Sequence, residues 1–293
     1  IAPLTVRIRL LLAIRMGELV PAQVARQLAT LQQIAGGRLR INIISSDRPG
    51  EALESTARYR RSTEYMHVIR ELLDGRPVEL RGEFVDLVID PPRVATDGEG
   101  CPPFYFGGLS SAARECAARA ADVFLLWPDV TDRVVAVREE MDDRAATFGR
   151  ALHYGWRSHV IVRETEDEAR SAARRLVSKL DDATGDAIRR RSLDSASAGV
   201  ARQAELRETA DDEGYVSRHL WTGIGRARSG AGAAIVGDPD QVRDHIRELA
   251  AAGMSAFILS GYPHRAECDL FARYVLPELD HAPLEVDPLP VAL

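Results

Sequence analysis

The sequence predicts an α/β protein: a parallel sheet with helices packed outside it. Three observations carry that prediction. Short apolar runs of strand length alternate with longer amphipathic runs along most of the chain. Cap and turn residues fall between the two kinds of run, where strand–helix connections need them. The stretch HYGWRSHVIV (153–162), read with the period of two of a strand, has an apolar face of the kind that packs under helices.

Taken in order, RIRLLLAIR (7–15) is an apolar run flanked by charge and reads as the first strand. Pro21 suits the first turn of a helix, and AQVARQLATLQQIA runs from it to the stop at Gly36 and Gly37. LRINIISS (39–46) is the next strand, and a long amphipathic helix covers 55–73. RPVELRGEFVDLVI (76–89) alternates about Arg81 and Gly82 as a hairpin does. FYFGG (104–108) and VFLLW (123–127) are strands, followed by the helices SSAARECAARAA and VTDRVVAVREEMDDRAATFG. HYGWRSHVIV comes next, and AFILSG (256–261) is the sixth strand, with its helix over 265–276.

Between those last two strands lies 163–255, far longer than an ordinary connection. It holds the helix EDEARSAARRLVSKL, a polar, charge-rich stretch over 181–214, and the glycine-rich run GIGRARSGAGAAIVGD (223–238). DPDQVRDHIRELAAAG (238–253) closes it, a helix with an aspartate cap and a glycine stop. Composition leaves 181–214 open between a linker and a mobile lid. The expected organisation is one domain over 1–293, with 163–255 as an insertion that carries the candidate lid.

With 45% hydrophobic and 28% charged residues, the 293-residue chain can bury a sizeable core. A net charge of −6 argues against a general nucleic-acid or membrane-surface binder, so any anion site must be built residue by residue. Cys101, Cys116 and Cys268 have no metal-ligand spacing and do not suit a disulfide framework, which points to a reducing cytoplasm and no metal. No apolar run approaches the roughly 20 residues of a membrane span.

Two stretches carry candidate chemistry. In HYGWRSHVIV, Gly155, Arg157, His159 and Ile161 share one face, and Trp156, Ser158, Val160 and Val162 share the other. A guanidinium and an imidazole aimed into a sheet's covered face are costly without a partner. The arrangement fits either an anion site or a strand end wetted at a rim or tied into an ion pair. In FGGLSS, Gly107 and Gly108 end a strand while Ser110 and Ser111 open a helix, whose N-terminus favours an anion. A bare helix cap is the other reading.

The segments WRSHVIVRET, LVSKLDDAT, LWTGIGRARSGAGAAIVGD and FILSGYPH resemble those of the FMNH2-dependent alkanesulfonate monooxygenases, in the bacterial-luciferase-like flavin superfamily. LLAIR, PAQVARQLATL, FYFGGLSSAA and VFLLW match in the same order, so the likeness covers nearly the whole chain. It implies a (β/α)8 TIM barrel of the luciferase-like type with its site at the C-terminal ends of the strands. The six strands here would be strands three to eight. The first two would lie upstream of Ile1, with a family cysteine near the flavin that no residue here matches.

The resemblance also implies an activity: conversion of an alkanesulfonate, reduced FMN and O2 to aldehyde, sulfite and FMN. A separate NAD(P)H-dependent FMN reductase would supply the reduced FMN, and the enzyme would be a homodimer or homotetramer. Arg157 matches the sulfonate-site arginine, and Arg228 a second arginine that closes over the site. Tyr262 and His264 match pocket positions, and His159 is the candidate base or proton shuttle. Asn42 resembles a residue that hydrogen-bonds the flavin, Tyr59 one near its phosphate, and Gly107, Gly108, Ser110 and Ser111 would cradle that phosphate. The alternatives are an oxygenase for another organosulfur compound, such as a sulfone, and a non-catalytic flavin-binding remnant. The loop SSDRPGEALESTARY (45–59) is shorter than the family's, and Ser55 stands where a histidine is usual.

Overall fold

In a computed structural model, described for residues 1–46, 50, 53–93, 100–191 and 197–293, the chain forms two units. The first comprises 1–124, 141–152 and 286–293. Its strands β1 (Leu10–Arg15), β2 (Leu39–Ile44) and β5 (Phe104–Gly107) lie side by side and parallel, with Asn42 opposite Ala13 on one flank and Tyr105 on the other. Strand β2 alternates as expected: Leu39, Ile41 and Ile43 are buried on one face, which leaves Asn42 on the other. The helices α1 (Pro21–Ala35), α2 (Ser55–Leu73) and α3 (Ser111–Ala120) follow these strands. Helix α1 ends at Gly36, whose φ of 56° is the left-handed conformation that glycine adopts without strain. Strands β3 (Val78–Arg81) and β4 (Asp86–Ile89) form the expected hairpin.

A buried ionic hub fastens this unit, and nothing local in the sequence announces it. Asp122 Oδ2 accepts from Arg70 Nη2 at 2.5 Å and from the Phe104 amide at 2.7 Å. Its Oδ1 accepts from Arg150 Nη2 at 3.4 Å and the Leu289 amide at 3.2 Å. The Arg70 guanidinium also lies 4.2 Å from the centroid of the Phe104 ring. Strand β6 (Val123–Leu126) and helix α4 (Thr131–Ala146) each contribute residues to both units.

The second unit comprises 125–140 and 153–285. Its central strand, β7 (His153–Val162), is long enough to serve two parallel neighbours: residues 155–159 pair with β10 (Ala256–Ser260) and 159–162 with β9 (Ala234–Gly237). A two-residue strand, β8 (Leu220–Trp221), runs antiparallel to β9. Val160 and Val162 pack with Val242 and Ile246 of α8 (Pro239–Ala251), as the apolar face of HYGWRSHVIV predicts. A capping box between Asp238 and Gln241 opens α8. Ile161, on the other face, packs with Ala169, Ala172 and Ala173 of α5 (Glu166–Val177).

Two features were not expected from the sequence. The stretch 163–255, expected as an insertion, holds a further strand, β9, which takes a place beside β7. Its sequence, AIVG, is too short and too close to a glycine-rich run to stand out as a strand. The polar stretch 181–214 contains two capped helices, α6 (Asp182–Arg190) and α7 (Ala198–Glu208), while 192–196 lie outside the described residues. In the loop 45–59, residues 47–49 and 51–52 likewise lie outside them. Among the described residues no helix is long and apolar enough to cross a membrane, and no cluster of side chains could hold a metal.

Candidate active site

The expected residues gather into two clusters, one in each unit. In the first unit β5 ends at Gly107, and Ser110 caps α3 by accepting from the Ala113 amide at 3.2 Å. Ser111 is the first residue of that helix, so the N–H groups of Ser111 and Ala112, which the cap does not take, are left to meet an anion. Gly108 cannot be replaced without cost: a Cβ there would sit 2.6 Å from the Ala113 Cβ and 3.5 Å from the Tyr59 hydroxyl. Tyr59, on α2, stands edge-on to Phe106 with ring centroids 6.1 Å apart. A glycine packed against the helix, a helix N-terminus and a phenol lie together here, donors of the kind that suit the phosphate end of FMN. Asn42 lies on β2, register partner of Tyr105 on β5.

The second cluster is built on β7. His159 is fully buried, and its register partner on β10 is Ser260. His159 Nδ1 lies 2.9 Å from Ser260 Oγ, and Nε2 lies 3.2 Å from Arg228 Nη1. Arginine is only a donor, so the Arg228 contact asks Nε2 to accept, while a hydrogen bond to the Ala231 backbone favours the protonated ring. The same Arg228 Nη1 donates to the Tyr262 hydroxyl at 3.0 Å. The Tyr262 ring lies between two imidazoles, its centroid 5.3 Å from that of His159 and 4.9 Å from that of His264, which opens α9 (His264–Tyr274).

The charges in this cluster are not balanced. Arg157 is half-buried and its guanidinium donates to the Ser158 carbonyl at 2.6 Å, while Arg228 Nε donates to the Ser229 carbonyl at 3.1 Å. Neither arginine meets a carboxylate among the described residues. Burial, and then the nearby Arg228, lower the Arg157 pKa below the ordinary arginine range. Burial, Arg157 and Arg228 together push His159 down to about 3 from an ordinary 6.5. His159 is therefore neutral and held as an acceptor, not an imidazole poised near pH 7 as the sequence reading expects. Burial between two cations is the reason.

The sequence reading missed two neighbours. Ser260 meets His159 Nδ1, and its only signal was a polar residue ending an apolar strand. Trp127, just after β6, packs its ring against the space beside Gly230: a Cβ on Gly230 would lie 3.6 Å from both the indole and Arg228 Nη2. Cys101 and Cys116 are buried thiols whose pKa burial pushes up to about 12, and Cys268 is exposed.

Comparison with known proteins identifies a family for the chain. The profile of the luciferase-like monooxygenases matches residues 1–256. A sulfoquinovose monooxygenase of Novosphingobium aromaticivorans is 58% identical over 287 residues, 96% of this chain and 79% of that protein. One from Agrobacterium fabrum is 47% identical over 280 residues, 95% of this chain and 73% of that protein. Among solved structures, a riboflavin lyase with modified FMN and riboflavin gives a TM-score of 0.76 at 16% identity, covering 95% of this chain and 72% of that one. That last likeness speaks to the fold alone.

Proposed function

The chain belongs to the luciferase-like monooxygenase family and has its α/β fold, and we propose that it is a two-component, flavin-dependent monooxygenase that desulfonates sulfoquinovose. The observation that carries this reading is the pair of arginines, Arg157 and Arg228, half-buried beside a neutral His159 and with no carboxylate partner among the described residues. Two guanidinium forks in that state suit a sulfonate, a tetrahedral anion with three equivalent oxygens. The resemblance to alkanesulfonate monooxygenases suggests a simple alkyl chain, and the names of the two relatives favour a sulfonated sugar instead.

In this reading Arg157 and Arg228 hold the sulfonate. Arg228 commits Nη1 to His159 and Tyr262, which aims its other edge at the anion. Tyr59, Gly107, Gly108, Ser110 and Ser111 hold the phosphate of FMN, and Asn42 the flavin itself. Reduced FMN, delivered by a separate NAD(P)H-dependent FMN reductase, supplies two electrons that allow O2 to be divided between substrate and water. The carbon–sulfur bond breaks, the carbon leaves as an aldehyde, the sulfur as sulfite, and FMN is returned oxidised. The segment 181–214 is assigned the task of keeping water from the anion.

The test is sulfite release with reduced FMN and O2, comparing sulfoquinovose with a series of unbranched alkanesulfonates. Turnover of sulfoquinovose at least tenfold above any of the series, about 1.4 kcal/mol of discrimination, is the expected result. Sulfite from the alkanesulfonates alone would return the assignment to them, and none from any sulfonate would remove it.

A further inference from the structure

Arg228 sits in a loop whose neck is unusually well defined. The Gly225 amide donates to the Gly232 carbonyl at 2.7 Å, and a Cβ on Gly232 would come within 3.0 Å of the Gly225 Cα, so the two ends of the loop touch. Among the described residues, the arginine inside it bonds the Ser229 carbonyl, His159 and Tyr262. The neck is held from two helices: Arg189 of α6 donates to the Gly225 and Arg226 carbonyls, and α7 supplies Arg207, which donates to the Gly225 carbonyl at 3.2 Å, and Gln203. Gln203, buried on that helix, accepts from the Gly232 amide at 3.0 Å through Oε1 and donates to the Pro128 carbonyl at 2.7 Å through Nε2.

The chemistry of this bridge is specific to glutamine. One partner is an amide that can only donate and the other a carbonyl that can only accept, so the side chain must offer both functions, and only one orientation of its amide satisfies both. The helix that carries it is itself fixed: Arg202 forks onto Asp129 with two bonds of 2.7 Å, and Gly199 lets the Trp127 ring approach so closely that a Cβ would sit 2.8 Å from it. Gln203 therefore joins the turn that follows Trp127 to the neck of the Arg228 loop.

We infer that Gln203 is a positioning residue for the anion site, setting the affinity for the sulfonate through Arg228 without touching it. The inference rests on the role proposed for Arg228. Gln203→Met keeps the length and apolar bulk of the side chain and removes both bonds. Gln203→Glu keeps the acceptor for Gly232 and loses the donor to Pro128.

The experiment measures sulfoquinovose binding by calorimetry, and KM and kcat by sulfite release with reduced FMN. It uses the wild type, Arg228→Ala, Gln203→Met, Gln203→Glu and the Arg228→Ala/Gln203→Met double variant. The Met variant is expected to weaken sulfoquinovose binding and raise KM about tenfold, the worth of two neutral hydrogen bonds, with kcat and FMN affinity little changed. The Glu variant should fall between it and the wild type, and it carries the test alone if the Met variant does not fold. Because the effect runs through the arginine, the double variant should bind no more weakly than Arg228→Ala. Wild-type affinity in both Gln203 variants, or a double variant weaker by the full product of the two single losses, overturns the inference while leaving the proposed function intact. If Arg228→Ala itself binds sulfoquinovose as the wild type does, the role of Arg228 falls and the inference with it.

Discussion

Two pairs of arginines, Arg70 and Arg150 buried in the first unit and Arg157 and Arg228 half-buried in the second, are treated in opposite ways. Arg70 and Arg150 in the first unit converge on one carboxylate, Asp122, which takes four hydrogen bonds. Arg157 and Arg228 in the second lie near each other with no carboxylate between them and lean on backbone carbonyls, an imidazole and a phenol. A buried cation costs several kcal/mol to desolvate unless a counter-charge offsets it. Where this protein uses arginine to fasten its core it supplies that charge. Where it leaves the charge out, a bound anion is the economical explanation.

The contrast can be broken in four places, from the largest effect to the smallest. Asp122→Ala strands two buried guanidinium groups and should cost about 3–5 kcal/mol of unfolding free energy, read from urea denaturation. A loss below about 1 kcal/mol, the scale of an exposed pair, would mean that the hub is not what fastens the unit. Arg157→Ala and Arg228→Ala should do the reverse. Each should weaken sulfonate binding by about 2–5 kcal/mol and leave the melting temperature unchanged or raised, because like charges are separated. Arg157→Lys should recover only part, since an ammonium lacks the planar fork. A melting temperature that drops as far as it does for Asp122→Ala would identify Arg157 as a structural residue.

His159 sharpens the comparison through pH. Its folded pKa is about 3 against 6.5 for the free side chain, so the unfolded chain binds a proton there that the folded one refuses. Stability is fully present above about pH 6.5 and is lost as pH falls from there towards 3. Between pH 7 and pH 5 the loss should be about 2 kcal/mol larger in the wild type than in His159→Gln, which keeps an acceptor and cannot titrate. Denaturation curves at the two pH values that shift in parallel for both proteins would show that His159 is solvated. The smallest effect concerns the phosphate cradle. Ser111→Ala leaves the Ser110 cap in place, so stability should hold while FMN affinity falls by about 1 kcal/mol and riboflavin affinity does not change. Equal losses for both flavins would detach Ser111 from the phosphate.

The sequence made the strands legible where burial on two faces imposes a pattern. HYGWRSHVIV announced both the face that packs on α8 and the face that carries Arg157 and His159. The Ser110 cap and the Gly36 stop were local signals and were found as such. Four things were not legible. The four-residue β9 has no period long enough to detect, and its place beside β7 is set by the strand it joins. Helices α6 and α7 look like a polar linker because few of their residues are buried, and α7 is fixed by ion pairs and amide bonds to distant turns. Asp122 is one acid in an alanine-rich stretch, and its partners are remote in the chain. The neutral state of His159 is a property of two cations brought together by folding, so no inspection of the strand alone could supply it.

The separations at Asp122 bear on how the chain can be assembled. Its partners lie 52, 18, 28 and 167 residues away, at Arg70, Phe104, Arg150 and Leu289. During synthesis Arg70 and Phe104 leave the ribosome before Asp122, Arg150 follows soon after, and Leu289 arrives only once the second unit has been made. One carboxylate oxygen can be engaged early, but the other gains its full set of donors only when 286–293 returns to the first unit, a closure with a high entropic barrier. The first unit is thus held short of its final stability until the whole of the second has been translated, which makes the returning tail a latch on co-translational folding.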